Sequence, residues 1–227
     1  MSYKTQHIYL MPGLAANSVI FENLKLSDNK YKLHRLDWIK PKKKEDILSF
    51  CKRISKKIVH KNPILLGVSF GGIIMQEIDG FIDVKKLIIV SSVKSENEFP
   101  KVFKIARDYK LMNYLESNNV LQLGMFDNII KFSLKLKANK LYKGIDRAER
   151  YLTERDQEYL EWAVKNLLNW KQKKIRPDLI HIHGDNDKVF PIENIKDCII
   201  IKGGGHEMII DRAKWFNENL IKLIEGK

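Results

Sequence analysis

A chain of 227 residues suits one large domain or two small ones, and it needs no disulfide or metal to fold. Hydrophobic residues at 44%, aromatics at 10% and charged residues at 30% match an ordinary globular domain, which excludes disordered, collagenous and disulfide-scaffold classes. The net charge of +13 raises nucleic acid as a partner, but the lysines are spread along the whole chain. The densest group, Lys40 to Lys44 with Lys52, Arg53, Lys56 and Lys57, falls on one solvated helix and its entry, so no nucleic-acid partner is expected.

Cys51 and Cys198 form no C-x-x-C pair and are expected to be buried thiols in a reducing, cytoplasmic compartment. No apolar run approaches the ~18 residues needed to span a bilayer, so no membrane span is expected. The N-terminus shows no signal-peptide or anchor pattern.

In chain order, Ile8 to Met11 and then Tyr31 to Trp38 read as strands. From Lys43 to His60, apolar Ile47, Leu48, Cys51, Ile54 and Ile58 recur at spacings of three and four, which predicts an amphipathic helix. Pro63 to Val68 is a continuous apolar run, as in a parallel strand covered on both faces, and a helix follows from Gly71. Lys86 to Ser91 reads as another buried strand. From about Ser95 to Ile175 no strand pattern appears. The clearest helix there runs from Glu154 to Trp170, with Thr153 as its cap. Strands resume at Leu179 to His183 and Cys198 to Ile201, and a last helix covers Arg212 to Ile224. Such alternation calls for a mostly parallel sheet with helices on both faces. Functional residues of such a sheet gather at the carboxyl ends of its strands.

Gly67-Val68-Ser69-Phe70-Gly71 matches G-x-S-x-G and falls between a buried strand and a helix, where a nucleophile elbow requires it. A serine hydroxyl needs a histidine base, and the base needs a carboxylate to hold its tautomer. Downstream, His183-Gly184-Asp185-Asn186-Asp187 follows one strand and Gly203-Gly204-Gly205-His206 follows the next. Spacing alone leaves Asp185 and Asp187 as competing acids.

These residues resemble the α/β-hydrolase superfamily over essentially the whole chain. The resemblance implies Ser69 as nucleophile, Asp187 in H-G-x-x-D-x-x-x-P as acid and His206 as general base. Pro12-Gly13-Leu14 is similar to the family's oxyanion loop, which would make the backbone N–H groups of Leu14 and Phe70 the donors. Two departures stand out: Pro12 replaces a common histidine, and the first strand leads straight into this loop, so the antiparallel hairpin of larger members is expected to be absent.

His181 and His183, within or at the end of a strand, suggest structural roles, and His7, His34 and His60 lie near element ends without chemical companions. A metal held by His181, His183, Asp185 and Asp187 would make the Ser69 and His206 motifs coincidences. The chain is therefore expected to be a single α/β-hydrolase domain. Its core would cover about 1–94 and 176–227, with a helical cap inserted at about 95–175. The expected activity is cleavage of an ester or related acyl bond, with no cofactor and no metal. Thioester, lactone and acyl-transfer chemistry remain open, as does a non-catalytic binding role. Phe103, Ile105, Leu111, Met125 and Phe132 in the cap suit a small-molecule substrate with an apolar group.

Overall fold

The computed structural model describes residues 5–26, 30–108, 150–154, 156–172 and 174–226. Strands β1 (Gln6–Met11), β2 (Tyr31–Arg35), β3 (Ile64–Val68), β4 (Lys86–Val90), β5 (Ile180–Gly184) and β6 (Ile199–Ile201) form one sheet. Its order is β2-β1-β3-β4-β5-β6, and every neighbouring pair is parallel.

Side chains of a strand alternate between its faces, and β1 shows how this divides the core. Ile8 and Leu10 join Phe21, Phe216 and Leu220 on one face, whereas Tyr9 and Met11 join Phe50, Ile54 and Ile73 on the other. The second face is covered by α1 (Ile47–Ser55), α2 (Phe70–Asp79) and α4 (Gln157–Asn169). Helix α3 (Lys101–Asp108) packs on α4, and α5 (Met208–Asp211) and α6 (Ala213–Glu225) cover the first face. Cover on both sides explains why β3 is apolar at every position, each residue being buried. Each such Leu or Ile contributes roughly 1.5–3 kcal/mol on leaving water.

Three predicted elements are shorter than expected. The helix expected over 43–60 is only α1, because Asp46 caps it by accepting the Ser49 N–H at 2.7 Å while Lys42 to Glu45 form a turn. Its end tightens where Lys57 and Ile58 donate three residues back, to Ile54 and Ser55. Helix α4 starts after Asp156, whose carboxylate accepts the Tyr159 N–H at 2.9 Å; Thr153, the expected cap, instead accepts from Asn17 Nδ2 at 3.0 Å. The strand expected to reach Trp38 stops at Arg35, and the Trp38 indole turns inward to donate to Gly13 O at 3.0 Å.

Of the apolar residues expected in a cap, Phe103 and Ile105 lie on α3, while Leu111, Met125 and Phe132 lie outside the described residues. No helix among the described residues is long and apolar enough to cross a membrane.

Candidate active site

Strand β3 delivers the chain to Ser69, which adopts φ 53° and ψ −123° before α2 begins. This left-handed backbone is costly for a residue with a side chain and persists only where its surroundings hold it. Three hydrogen bonds do so: Ser69 N–H donates to Val90 O at 2.9 Å, Gly72 N–H donates to Ser69 O at 2.9 Å, and Ser92 Oγ–H donates to Ser69 O at 2.8 Å. The flanking glycines are required by closeness. A Cβ on Gly67 would fall 2.2 Å from Gly71 O, and one on Gly71 would fall 2.4 Å from the carbonyls of Met11 and Pro12.

The loop after β6 brings His206 to Ser69, with Nε2 3.0 Å from Oγ. The loop after β5 brings Asp187 to the far side of the imidazole, with Oδ2 2.9 Å from Nδ1. A carboxylate beside Nδ1 favours the proton there, so Nδ1–H donates to Asp187 and Nε2 accepts from the Ser69 hydroxyl. The other oxygen of Asp187 accepts the N–H groups of Val189 at 2.8 Å and Phe190 at 3.0 Å. Asp185 does something else: its Oδ1 accepts the Gly203 N–H at 2.6 Å, tying the acid loop to the turn that leads to His206.

Burial opposes charge on Asp187, but the adjacent His206 and the Phe190 N–H outweigh it and hold the carboxyl below its ordinary range. Burial likewise opposes the imidazolium of His206, and the Asp187 carboxylate reverses this, raising His206 above the ordinary histidine value. His183 is pushed down by burial and stays neutral; its Nε2–H donates to Phe190 O at 2.8 Å. Its Nδ1 lies 3.3 Å from Nε2 of His181, whose own value burial drives down to about 3. The two histidines thus brace the acid loop from beneath.

The loop after β1 passes beside Ser69. A Cβ on Gly13 would lie 3.2 Å from Ser69 Cβ, so Gly13, the residue before Leu14, packs directly against the serine. Phe70 is the first residue of α2, so its N–H has no intrahelical partner. Two residues without any motif hold this loop: Trp38, through Gly13 O, and Tyr159, whose hydroxyl accepts the Ala15 N–H at 3.4 Å. Trp38 and Tyr159 also pack together, with ring centroids 5.2 Å apart. No local pattern marks either residue, since one follows a strand and the other belongs to the apolar stripe of α4.

Against solved structures, the chain is similar to an esterase from Exiguobacterium antarcticum at 19% identity and TM-score 0.65, covering 99% of this chain and 93% of that one. It is similar to a thermophilic esterase from Thermogutta terrifontis at 10% identity and TM-score 0.68, covering 99% and 91%. An enol-lactonase from Burkholderia xenovorans aligns at 12% identity and TM-score 0.71, covering 97% and 92%. The chain has the α/β-hydrolase fold. Ser69, Asp187 and His206 therefore stand after β3, β5 and β6 of an α/β-hydrolase sheet, all at its carboxyl edge. No protein-family model and no curated protein sequence matches the chain.

Proposed function

We propose that the protein is a serine hydrolase that cleaves a carboxylic ester or a related acyl bond through an acyl-serine intermediate. The observation that carries this reading is the continuous relay from Ser69 Oγ through His206 to Asp187, at 3.0 and 2.9 Å, built on a strained elbow. His206 Nε2 takes the Ser69 proton as Oγ attacks the acyl carbon, and Asp187 stabilises the resulting imidazolium. The N–H groups of Leu14 and Phe70 receive the oxyanion; such donors are each worth on the order of 10² to 10³ in rate. His206 returns the proton to the leaving group, then draws one from water, which attacks the acyl carbon and frees Ser69. Nucleophile, base and donors all come from the chain, so this route requires no cofactor.

The apolar side chains near the serine favour an acyl group without charge. Leu14, Phe103 and Leu160 pack against Val164 and Leu168, and Phe103 meets the edge of Phe190, which in turn packs against His206. Helices α3 and α4 supply most of these residues; α4 also covers the sheet face beside α1 and α2, and residues 109–149 of the expected cap lie outside the described residues.

The test is intact mass after incubation with a fluorophosphonate. One adduct on wild type and none on Ser69→Ala or His206→Ala is expected; folded wild type that stays unlabelled would sink the reading and favour a ligand-binding role. A panel of p-nitrophenyl esters, acyl thioesters and lactones then sorts the leaving group.

A further inference from the structure

On the face of the sheet covered by α1, α2 and α4, away from Ser69, three imidazoles converge from three parts of the chain. His7 is the second residue of β1, and His34 lies on β2 opposite Tyr9; alternation and register put His7, Tyr9 and His34 on one face. His60 belongs to the connection between α1 and β3. His7 Nδ1 lies 2.8 Å from His34 Nε2, the rings of His7 and His60 stack at 3.4 Å, and one nitrogen from each ring lies within 4.8 Å of the other two. This is the only grouping of three or more His, Cys, Asp or Glu with metal-ligand spacing among the described residues. The expectation that these histidines have no companions is therefore overturned, because strand register and the α1 crossover join positions that are remote in sequence.

We propose that His7, His34 and His60 form a binding site for a divalent transition-metal ion, with Zn2+ as the favoured occupant. Neutral imidazoles suit zinc and its neighbours, and a set without carboxylates does not suit calcium or magnesium. The set also has an orienting partner. Tyr9 Oη lies 2.6 Å from His60 Nδ1 and accepts the Val59 N–H at 3.1 Å; with Nδ1–H of His60 donating to Tyr9 Oη, the ring is fixed and the Nε2 lone pair is left for an ion.

Zinc–nitrogen bonds of about 2.0–2.1 Å place tetrahedral ligand nitrogens roughly 3.4 Å apart, so the set closes slightly around the ion. The His7 and His60 rings unstack as both turn their edges to it. The proton between His7 and His34 moves, through solvent, to the outer nitrogen of its own ring, leaving both inner nitrogens to ligate. Three protein ligands leave one position for water. The site joins edge strand β2, strand β1 and the exit of α1, so the ion acts as a staple and its signature is stability.

The experiment uses untagged, chelator-stripped protein titrated with Zn2+ by calorimetry and with Co2+ by visible absorption. One equivalent of tight binding is expected, with the d–d bands of tetrahedral cobalt and a melting temperature that rises with Zn2+. His34→Gln and His60→Gln should each weaken binding by at least ~10-fold, the lower end of what even an outer-shell loss costs, whereas His206→Ala should leave it unchanged. Metal-free melts of each variant report its folding separately. Folded wild type that binds no stoichiometric zinc would overturn the proposal. So would binding that survives both glutamine substitutions, or that is lost in His206→Ala.

Discussion

Two carboxylates two residues apart, Asp185 and Asp187, hold different positions because the β5 loop turns between them. Asp187 meets His206 and two backbone N–H groups, while Asp185 meets Gly203. Replacing Asp187 with Asn should lower turnover by on the order of 10⁴, by analogy with such triads, while Asp185→Asn should keep turnover within about tenfold of wild type. Initial rates on a labelled-site-normalised sample would reveal a reversed pattern. Because Asp187 raises the value of His206, activity should rise with pH through a midpoint above the ordinary histidine value of about 6.5. In Asp187→Asn the midpoint of the residual activity should move to lower pH, since the charge that favours the imidazolium is gone. Trp38→Phe removes one of two donors to the buried Gly13 carbonyl, the Ala16 N–H at 3.1 Å remaining; a stability loss of about 0.5–1.5 kcal/mol in urea is expected, with a lower kcat as the loop bearing Leu14 loosens.

Element boundaries depend on side chains that compete for the first free N–H groups of a helix. Asp156 serves α4, and Asp156→Ala should cost about 1 kcal/mol by denaturant unfolding, whereas Thr153→Ala should leave the helix start alone. The elbow is less forgiving. Gly71→Ala would place a methyl against the carbonyls of Met11 and Pro12 and push apart the serine turn and the neighbouring loop. Overpacking of this kind typically costs about 1–3 kcal/mol, and loss of fluorophosphonate labelling in a still-folded variant would locate the strain at the site. The elbow was legible in sequence because its signal is local: a buried strand, a serine and glycines at the positions of closest approach. Caps were less legible, since Thr153 and Asp156 both qualify by type. The side chain of Asn17, far away in sequence, occupies the first of them.

For the whole molecule, a parallel sheet covered on both faces buries polar groups that then govern its response to acid. His181 has a folded value of about 3 against about 6.5 unfolded, because burial and then His183 and Lys94 disfavour its charge. The unfolded chain thus binds a proton that the folded chain refuses. Stability is full above about pH 6.5 and falls towards pH 3 by up to about 1.4 kcal/mol per unit from this group. Asp187, lowered by folding, adds a loss in the same direction below the ordinary carboxylate range. His206 works oppositely, adding stability that is complete below about 6.5 and lost as pH rises through its raised value. His181→Gln should therefore flatten the acid limb of a pH series of urea melts; an unchanged slope would contradict this account.

The order of strands and helices, the G-x-S-x-G turn, the candidates Ser69 and His206 and the competing acids Asp185 and Asp187 were legible in sequence, because hydrophobic period and turn chemistry depend on near neighbours along the chain; only the family resemblance favoured Asp187. Which acid faces His206, how Trp38 and Tyr159 hold the loop at Gly13 and Ala15, and why His7, His34 and His60 meet were decided only in the tertiary structure. Those contacts depend on register and crossovers, and only the packed sheet brings residues so distant in sequence within a hydrogen bond of one another.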